Sequence, residues 1–328
     1  MSGPVLVTGG TGFLGAALVR RLVSLGRKVR VLDNNWRGNP RRLEGVLDKV
    51  EMIEADIRNA AAVIAAAKGC AGVVHMASVN GTAYFYSQPE LVLDVGIRGI
   101  LAVVDACRAN GIGDLVVASS SEVYQTPPKV PTDESAPLIV PDPLNPRYSY
   151  GGQKLASELI ALNYGRTGFK RVAVFRPHNV YGPDMGFEHV VPELALRADD
   201  EVKAQPSGKV RFPIQGDGKQ TRAFIHVEDF TAGLVGVIDK APHLSITHIG
   251  NPEELTIADV ARRIVGCFGR EADLVFGESP AGQTPRRSPD IGKLRKLGFE
   301  PKIPFAEGIA PVVDWYVKNR HLKPKEAR

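Results

Sequence analysis

The chain has 328 residues, of which 44% are hydrophobic and 23% charged, and its formal net charge is +5. This length suffices for a large core spread over one or two domains, and the composition is that of an ordinary globular protein. Basic and acidic residues are interleaved, so the mild positive balance suits a small anionic ligand and falls short of a nucleic-acid-binding surface. The one concentrated basic run, the C-terminal KNRHLKPKEAR, is interpreted as a solvated tail.

Cysteine spacing and apolar runs exclude further classes of protein. Cys70, Cys107 and Cys267 are far apart and show neither CxxC nor Cys/His ligand spacing. We therefore predict no disulfide framework, no metal site and a reducing, cytoplasmic location. The sequence opens directly into an apolar strand, and no apolar run approaches the roughly 18 residues of a membrane span, so we expect neither signal peptide nor membrane anchor.

Short β-branched runs alternate with longer helical stretches in the first half of the chain. This alternation predicts a parallel sheet with helices on both faces, which is the Rossmann-like, doubly wound α/β arrangement. The apolar runs are nearly continuous, as burial on both faces requires. The predicted strands are 4–7, 28–33, 50–56, 72–77, 114–119 and 171–177, and the predicted helices are 12–25, 59–68, 89–110 and 148–166.

The regularity changes after Pro177, where prolines and glycines become frequent. Helices are predicted to begin near Val227 and near Thr256, the second with the capping-box-like sequence TIAD. We interpret residues 1–176 as one α/β domain and residues 177–328 as mainly a smaller, mixed α/β, substrate-binding domain. Parts of 214–240 are expected to return to the first domain. The shorter strands predicted here are 210–214, 245–250 and 272–276.

A glycine-rich turn joins the first strand to the first helix. Gly9, Gly12 and Gly15 have the spacing GxxGxxG, and Gly10 completes an overlapping GxGxxG. Small residues here permit a tight turn, close approach of the backbone to a pyrophosphate, and close packing of helix on strand. The helix N-terminus then favours the negative phosphate. We predict that 1–176 binds a dinucleotide.

Acidic residues at strand ends indicate which dinucleotide binds. Asp33 ends the second strand, where a carboxylate accepts hydrogen bonds from the ribose hydroxyls and repels a 2′-phosphate. This favours NAD, although the nearby Arg37, Arg41 and Arg42 leave NADP as an alternative. Asp56 ends the third strand at the edge where adenine would lie, and its alternative role is to cap the helix that follows.

Tyr150 and Lys154 are four residues apart in a predicted helix and so share one face. In isolation, this pattern is better explained by an aromatic anchor beside a solvated lysine. The triple serine at 119–121 changes that interpretation, because it ends the fifth strand, where ligands bind in open α/β sheets. A free tyrosine has a pKa near 10, and a cation about 4–6 Å away can lower it by roughly one to three units. We predict that Tyr150 is a general base assisted by Lys154.

Five motifs in this order resemble the extended short-chain dehydrogenase/reductase family, and within it the nucleotide-sugar epimerases, dehydratases and decarboxylases. They are TGGTGFLG (8–15), SSSEVY (119–124), YxxxK (150–154), RPHNVYGP (176–183) and RAFIHVEDF (222–230). The resemblance implies that hydride leaves C4 of the sugar for NAD while Tyr150 takes the O4 proton. It also implies that Ser120 is the catalytic serine.

The resemblance places further residues around the two ligands. Guanidinium groups suit phosphate oxygens, so arginines are expected at the sugar-nucleotide diphosphate. The expected cofactor-binding residues are Gly9, Gly12, Phe13, Leu14, Gly15, Asp33, Asn34, Asp56, Ile57, Met76, Ala77, Tyr150, Lys154 and Pro177. The expected substrate-binding residues are Asn80, Ser121, Asn179, Arg222 and Arg287.

Glu122 bears on the outcome of the reaction. A 4-keto intermediate acidifies the C5 proton, which a carboxylate there could remove. Dehydratases of the resembled group often carry Asp-Glu or Ser-Glu at these two positions, decarboxylases carry Ser-Glu, and simple 4-epimerases often lack the acid. The pair here is Ser121-Glu122, so no aspartate assists loss of the C6 hydroxyl. The alternative is that Glu122 only pairs with a neighbouring cation.

Some positions depart from the resembled pattern. Gln125 replaces the usual glycine, HMAS stands at 75–78, and the aromatic loop VNGTAYFY (79–86) is a candidate lining of the sugar pocket. His75 and His178 are interpreted as structural.

The resulting hypothesis is an NAD-dependent enzyme acting on a UDP-, GDP- or dTDP-sugar, with 4-epimerisation favoured. The alternatives are a 4,6-dehydratase, a decarboxylase, a net C4 dehydrogenase, or a non-catalytic NAD-binding sensor. The resemblance also suggests a homodimer through helices 89–110 and 148–166.

Overall fold

The structure, a computed structural model, describes residues 3–278 and 285–324. Its strands are β1 (Val5–Thr8), β2 (Val29–Asp33), β3 (Val50–Glu54), β4 (Gly72–His75), β5 (Asp114–Ala118), β6 (Arg171–Pro177), β7 (Val180–Tyr181), β8 (Val210–Ile214), β9 (Thr221–Ala223), β10 (Ile225–His226), β11 (Ser245–Ile249), β12 (Glu254–Thr256), β13 (Ala272–Phe276) and β14 (Arg286–Arg287). Its helices are α1 (Phe13–Ser24), α2 (Ala60–Ala67), α3 (Thr82–Ser87), α4 (Pro89–Ala109), α5 (Ser149–Tyr164), α6 (Val190–Ala204), α7 (Val227–Lys240), α8 (Ile257–Gly266), α9 (Gly292–Lys296) and α10 (Phe305–Lys318).

Seven parallel strands form the main sheet in the order β3-β2-β1-β4-β5-β6-β11. The chain leaves β1 toward β2 and β3, then returns to build outward from the other side of β1 with β4. The central register pairs Val7 with both Val31 and Val74. The strand order therefore reverses beside β1, and in such sheets the crevice at the carboxyl ends of the strands is where ligands bind. The predicted doubly wound α/β fold is confirmed.

Helices cover both faces of this sheet. Helices α2, α4 and α5 pack together on one face, and α1 and α7 pack on the other. The strands are apolar on both sides because neither face meets water, as the continuous burial of β1 and β4 shows. Two apolar layers result, and they hold the carboxyl edge of the sheet rigid.

Residues that follow β6 in the chain form a second apolar core. It is built by α6, α8 and α10 around the parallel pair of β8 and β13. Thr256 caps α8 by accepting a hydrogen bond from the backbone N–H of Asp259 at 3.0 Å, as TIAD predicts. The small sheet of β12, β9 and β14 lies beside this core and carries Arg222 and Arg287.

Two segments from the second half of the chain complete the first core. Helix α7 packs against α1, and β11 adds an edge strand to β6. The strand 245–250 was predicted, but its partner was not, because only long-range contacts decide which sheet a short strand joins. None of the helices within 3–278 and 285–324 combines the length and apolarity of a bilayer crossing. The same residues contain no cluster of His, Cys, Asp or Glu arranged to hold a metal ion.

Candidate active site

A cavity of about 550 Å³ opens at the carboxyl edge of the main sheet. The glycine turn lines one end, the serines after β5 and the start of α5 line the middle, and Arg287 lines the other end. Every predicted cofactor residue faces it, and so do all predicted catalytic residues. Among the predicted substrate residues, Asn80, Ser121, Asn179 and Arg287 line the cavity, whereas Arg222 does not.

The glycine turn leaves room and donors for a phosphate. Gly9 has φ +73, and a Cβ on Gly15 would stand 2.0 Å from the carbonyl oxygen of Gly9. Helix α1 begins at Phe13, and its N-cap, Gly12, supplies no side-chain cap to the first N–H groups. These N–H groups at the mouth of the cavity are therefore available to an anion.

Asp33 also lines the cavity, and backbone N–H groups orient its side chain. Its two carboxylate oxygens accept hydrogen bonds from the N–H groups of Thr11 at 3.0 Å and Asn35 at 2.9 Å. The carboxylate is thus oriented at the end of β2, where it suits a ribose with free hydroxyls.

The three arginines that made NADP an alternative cofactor are paired with carboxylates. Arg41 and Arg42 both pair with Asp184, at 2.7 and 3.1 Å, and Arg37 lies 3.6 Å from Glu188. A 2′-phosphate would have to break these pairs and would also face Asp33. The local charges therefore favour NAD.

Asp56 also lines the cavity and does not cap the next helix. Asn59 is the N-cap of α2, accepting from the N–H of Ala62. Asp56 instead binds Arg58 at 2.7 Å and accepts from the Asn34 amide at 3.1 Å. Hydrogen bonds from Arg58 lower the pKa of Asp56 to about 2, against partial burial that raises it.

Tyr150 and Lys154 project from α5 into the middle of the cavity, and both are buried. The Lys154 ammonium lies 5.8 Å from the centre of the Tyr150 ring and donates a hydrogen bond of 2.8 Å to the Ala118 carbonyl. Burial lowers the pKa of Lys154 to about 8, while the negative charge of Glu158 opposes that shift.

The pKa of Tyr150 differs from the sequence prediction. Burial raises it above 10, a hydrogen bond with Ser120 acts in the lowering direction, and the charge of Glu122 adds to the rise. The ring of Phe85 stacks on the phenol at 5.0 Å and 12° and removes it from water. In the protein alone, desolvation therefore outweighs the hydrogen bond with Ser120, and Tyr150 is a protonated phenol.

The serines after β5 take separate roles. Ser120 caps a 3₁₀ turn, Ser121–Val123, by accepting from the N–H of Glu122 at 3.1 Å, and its hydroxyl is directed at the phenol of Tyr150. Ser119 instead donates inward to Glu158. Of the three serines, Ser120 is therefore the one placed beside the hydroxyl of Tyr150.

At the far end, Glu122 and Arg287 form an ion pair of 2.5 Å. Burial would raise the pKa of Glu122, but the charges of Arg287, Arg147 and Arg222 hold it below its usual value. Burial and the neighbouring Arg287 lower the pKa of Arg222 to about 10. Three guanidinium groups thus act on one carboxylate, which leaves a net positive cluster around Glu122.

Sequence reasoning missed three residues of the site: Phe85, Arg147 and Glu158. Arg147 lies one turn before Tyr150, and Glu158 one turn after Lys154, so helical spacing could have drawn attention to both. Phe85 belongs to the aromatic loop that was considered for the sugar pocket; instead it packs on the catalytic phenol.

His75 is part of the structure beneath the cavity. The Thr8 hydroxyl accepts from the N–H groups of Met76 and Ala77, so its own proton points to Nδ1 of His75, 2.8 Å away. Burial, with the charge of Lys154, lowers the pKa of His75 to about 3. Neutral His75 fits the predicted structural role. His178 is also fully buried, and burial lowers its pKa well below the usual value.

The residues present fit NAD. The uncapped helix start at the glycine turn suits the pyrophosphate, Asp33 suits the adenosine ribose, and Tyr150 with Lys154 would flank the nicotinamide end of the same cavity. When bound, this cofactor supplies a hydride acceptor and donor.

Known proteins of similar sequence and structure agree with this geometry. A family model described as the NAD dependent epimerase/dehydratase family matches residues 5–250. The chain is 29% identical to UDP-glucuronic acid decarboxylase 1 of Arabidopsis thaliana, over 99% of this chain and 72% of that protein. It is 30% identical to dTDP-glucose 4,6-dehydratase of Streptomyces antibioticus, over 96% and 93%.

A solved structure shares the whole architecture. The dTDP-glucose 4,6-dehydratase DesIV of Streptomyces venezuelae, solved with NAD bound, superposes with a TM-score of 0.85 at 29% identity, covering 97% of this chain and 98% of that one. The superposition thus extends over nearly the full length of both chains. This protein is an enzyme of the NAD-dependent epimerase/dehydratase family, with NAD as its cofactor.

Proposed function

We propose that this enzyme oxidises a nucleotide-linked hexose transiently at C4 and returns the hydride to the opposite face, which makes it a 4-epimerase. The observation that carries the proposal is the placing of Ser120, Tyr150 and Lys154 in the same cavity as the glycine turn. Ser120 would orient the O4 hydroxyl, Tyr150 would exchange its proton, and Lys154 would stabilise the phenolate that forms.

The sugar end supports epimerisation over dehydration. Loss of the C6 hydroxyl needs a proton donor. Dehydratases of this group often carry Asp-Glu or Ser-Glu at positions 121 and 122, and with Ser121 here no aspartate supplies that proton. Glu122, the one acid there, is tied to Arg287 and its pKa is lowered, so it is poor at donating a proton. Epimerisation needs neither group to act on C5 or C6.

Decarboxylation is the second candidate, because Arg287 lines the cavity and, with Arg147 and Arg222 close behind it, gives a positive charge that would also attract a uronate carboxylate. Oxidation at C4 turns such a sugar into a β-keto acid, which loses carbon dioxide when a proton is delivered to C5. One of the relatives, 29% identical, is a UDP-glucuronic acid decarboxylase.

The deciding experiment is incubation of NAD-loaded enzyme with UDP-, GDP- and dTDP-hexoses and with UDP-glucuronate. Nicotinamide absorbance and product mass are measured, with Tyr150→Phe as the inactive control. A C4 epimer of unchanged mass supports the proposal. Loss of water, of carbon dioxide or of two hydrogens would assign dehydration, decarboxylation or net oxidation instead.

We further propose a homodimer in a reducing, cytoplasmic setting. Helices α4 and α5 pack side by side and leave Leu93 and Leu159 exposed at 42% and 56%. The three cysteines are free thiols. We expect Leu159→Glu to shift the sedimentation coefficient toward that of the monomer, while Leu25→Glu, at an equally exposed leucine after α1, leaves it unchanged. A wild-type protein that sediments as a monomer contradicts this proposal.

A further inference from the structure

A buried polar network lies directly beneath the catalytic residues, on side chains that the proposed reaction does not use. Its centre is Glu158, one helical turn after Lys154 on α5 and 2% exposed. One carboxylate oxygen accepts from the Ser119 hydroxyl and from Arg176 Nε at 2.8 Å. The other accepts from Arg176 Nη2 at 2.6 Å, so the guanidinium is bound at two points.

The network continues away from α5 through Arg176. Its Nη1 donates to the phenol oxygen of Tyr124, and that phenol lies 2.6 Å from Nε2 of His248. Nδ1 of His248 lies 3.0 Å from the backbone carbonyl of Asp290. Because a carbonyl only accepts, Nδ1 carries the proton and Nε2 accepts from Tyr124. Burial keeps this imidazole neutral, with a pKa of about 4.

These bonds join all the segments that form the reaction centre. Glu158 belongs to the helix of Tyr150 and Lys154, and Ser119 precedes the catalytic Ser120. Tyr124 follows the turn that carries Glu122, and Asp290 follows the strand that carries Arg287. The network therefore runs from the helix that carries Tyr150 and Lys154 to Asp290, three residues after Arg287 in the chain.

Stability alone is a poor explanation of this pair. Taking an arginine and a glutamate fully out of water costs about as much as their attraction returns, and apolar residues of similar size usually serve as well. Another pair, Asp114 with Arg171, joins the amino ends of β5 and β6 at 2.7 Å and remains partly exposed. The buried pair Glu158–Arg176 instead lies at the carboxyl end of β6, beside the catalytic residues.

We propose that Glu158 is a positioning residue: it holds the Tyr150–Lys154 face of α5 against the serines after β5 and anchors the network that reaches Asp290. The proposal rests on the catalytic role given above to Tyr150 and Lys154. Among the residues that the structure describes, Lys154 interacts with the charged or titratable groups of Glu158, Tyr150 and His75, and of these three Glu158 carries a negative charge.

The test replaces the ion pair without leaving a buried charge, in the variant Glu158→Met/Arg176→Met. We expect kcat of the NAD-loaded enzyme to fall about 10²-fold, as for a small displacement of a reacting group, with KM within about threefold of wild type. Loss of the Glu158 charge lowers the pKa of Lys154. The decline of kcat at alkaline pH should therefore begin at lower pH in the variant.

Asp114→Asn is the control, because it breaks another ion pair to an arginine of β6, at the amino end of that strand and away from the cavity. It should leave both kcat and the pH profile unchanged. Glu158→Asp keeps the charge and should recover part of kcat. If the double variant does not fold, Glu158→Gln, which removes the charge and keeps the shape of the side chain, decides through the same pH profile. A folded, NAD-loaded double variant with kcat within about twofold of wild type overturns the proposal, and so does an equal loss in the control.

A second measurement separates this proposal from the proposed function. Amide hydrogen exchange of the α5 segment Tyr150–Lys154 is followed in NAD-loaded protein without any sugar. Exchange should be at least about tenfold faster in the double variant and unchanged in Asp114→Asn. If no sugar in the panel is turned over, the proposed function fails while this result still tests Glu158. Unchanged exchange in the double variant refutes its positioning role.

Discussion

The two ends of the cavity are built in different ways. The cofactor end uses backbone groups and residues close in sequence: a glycine turn, the start of α1 and Asp33 at the end of β2. The sugar end brings together side chains from distant segments, and two of them, Glu122 and Arg287, are 165 positions apart. Local geometry can be read from spacing, whereas a charge balance assembled from distant segments is set by the tertiary fold.

The largest expected effect tests whether the two ends work as one site. Tyr150→Phe removes the proton-exchanging hydroxyl and keeps the ring that stacks on Phe85. We expect turnover to fall about 10²–10⁴-fold with bound NAD retained, measured by product formation and by cofactor content. Tyr148→Phe, two residues earlier and outside the cavity lining, is the control and should retain full activity. Substantial turnover by Tyr150→Phe would remove this residue from the chemistry.

The next effect isolates the cofactor end. In Gly15→Ala the new Cβ would meet the Gly9 carbonyl oxygen at 2.0 Å, so the turn must open. We expect a loss of about 1–3 kcal/mol in unfolding free energy, together with loss of bound NAD, by chemical denaturation and cofactor analysis. Gly236→Ala, where the added atom meets nothing within 4 Å in α7, should instead stabilise by about 0.5–1 kcal/mol. Normal NAD content in Gly15→Ala contradicts the assigned phosphate site.

Asp33→Asn sharpens the distinction between NAD and NADP. Asparagine lacks the negative charge of the carboxylate that the N–H groups of Thr11 and Asn35 orient. NAD affinity should therefore fall about tenfold, or roughly 1.4 kcal/mol. The preference for NAD over NADP should shrink at the same time, as titration calorimetry with the two cofactors would show. Asp48→Asn, on an exposed turn, is expected to change neither affinity. An unchanged preference in Asp33→Asn would mean that other groups select the cofactor.

The smallest expected effect concerns the sugar end. If Glu122 only balances Arg287, Glu122→Gln should lower kcat by less than about tenfold, because epimerisation needs no base at C5. The control is Glu51→Gln, in which a residue of β3 loses its 2.7 Å ion pair with Arg30 of β2. Its kcat shows the effect of losing an ion pair outside the cavity. Steady-state kinetics that reveal a loss of 10²-fold or more in Glu122→Gln alone would favour dehydration or decarboxylation.

Much of this site follows from sequence because its chemistry is carried by short-range patterns. The turn at Gly9–Gly15, the strand end at Asp33 and the helical pair of Tyr150 and Lys154 each need only local spacing. The raised pKa of Tyr150 could not be predicted in the same way. It depends on Phe85, which the tertiary fold brings onto the phenol from a separate loop.

Ion pairs between distant segments could not be predicted from the sequence either. Arg41 and Arg42 suggested an open phosphate site until the fold supplied Asp184 as their partner. The ion pair of Glu122 with Arg287 likewise joins two residues for which separate roles were predicted. Such pairings depend on loops that meet only after the two cores have packed, and pattern analysis of one segment contains no information about the other.

The late arrival of β11 and α7 has a consequence for synthesis of the chain. As the protein emerges from the ribosome, the edge of β6 stays unpaired until Ser245–Ile249 has been made, and the apolar side of α1 waits for Val227–Lys240. A nascent chain that ends near residue 176 would therefore present an open strand edge and uncovered apolar surface. We therefore expect residues 1–176 made alone to be less stable than the same residues in the full chain.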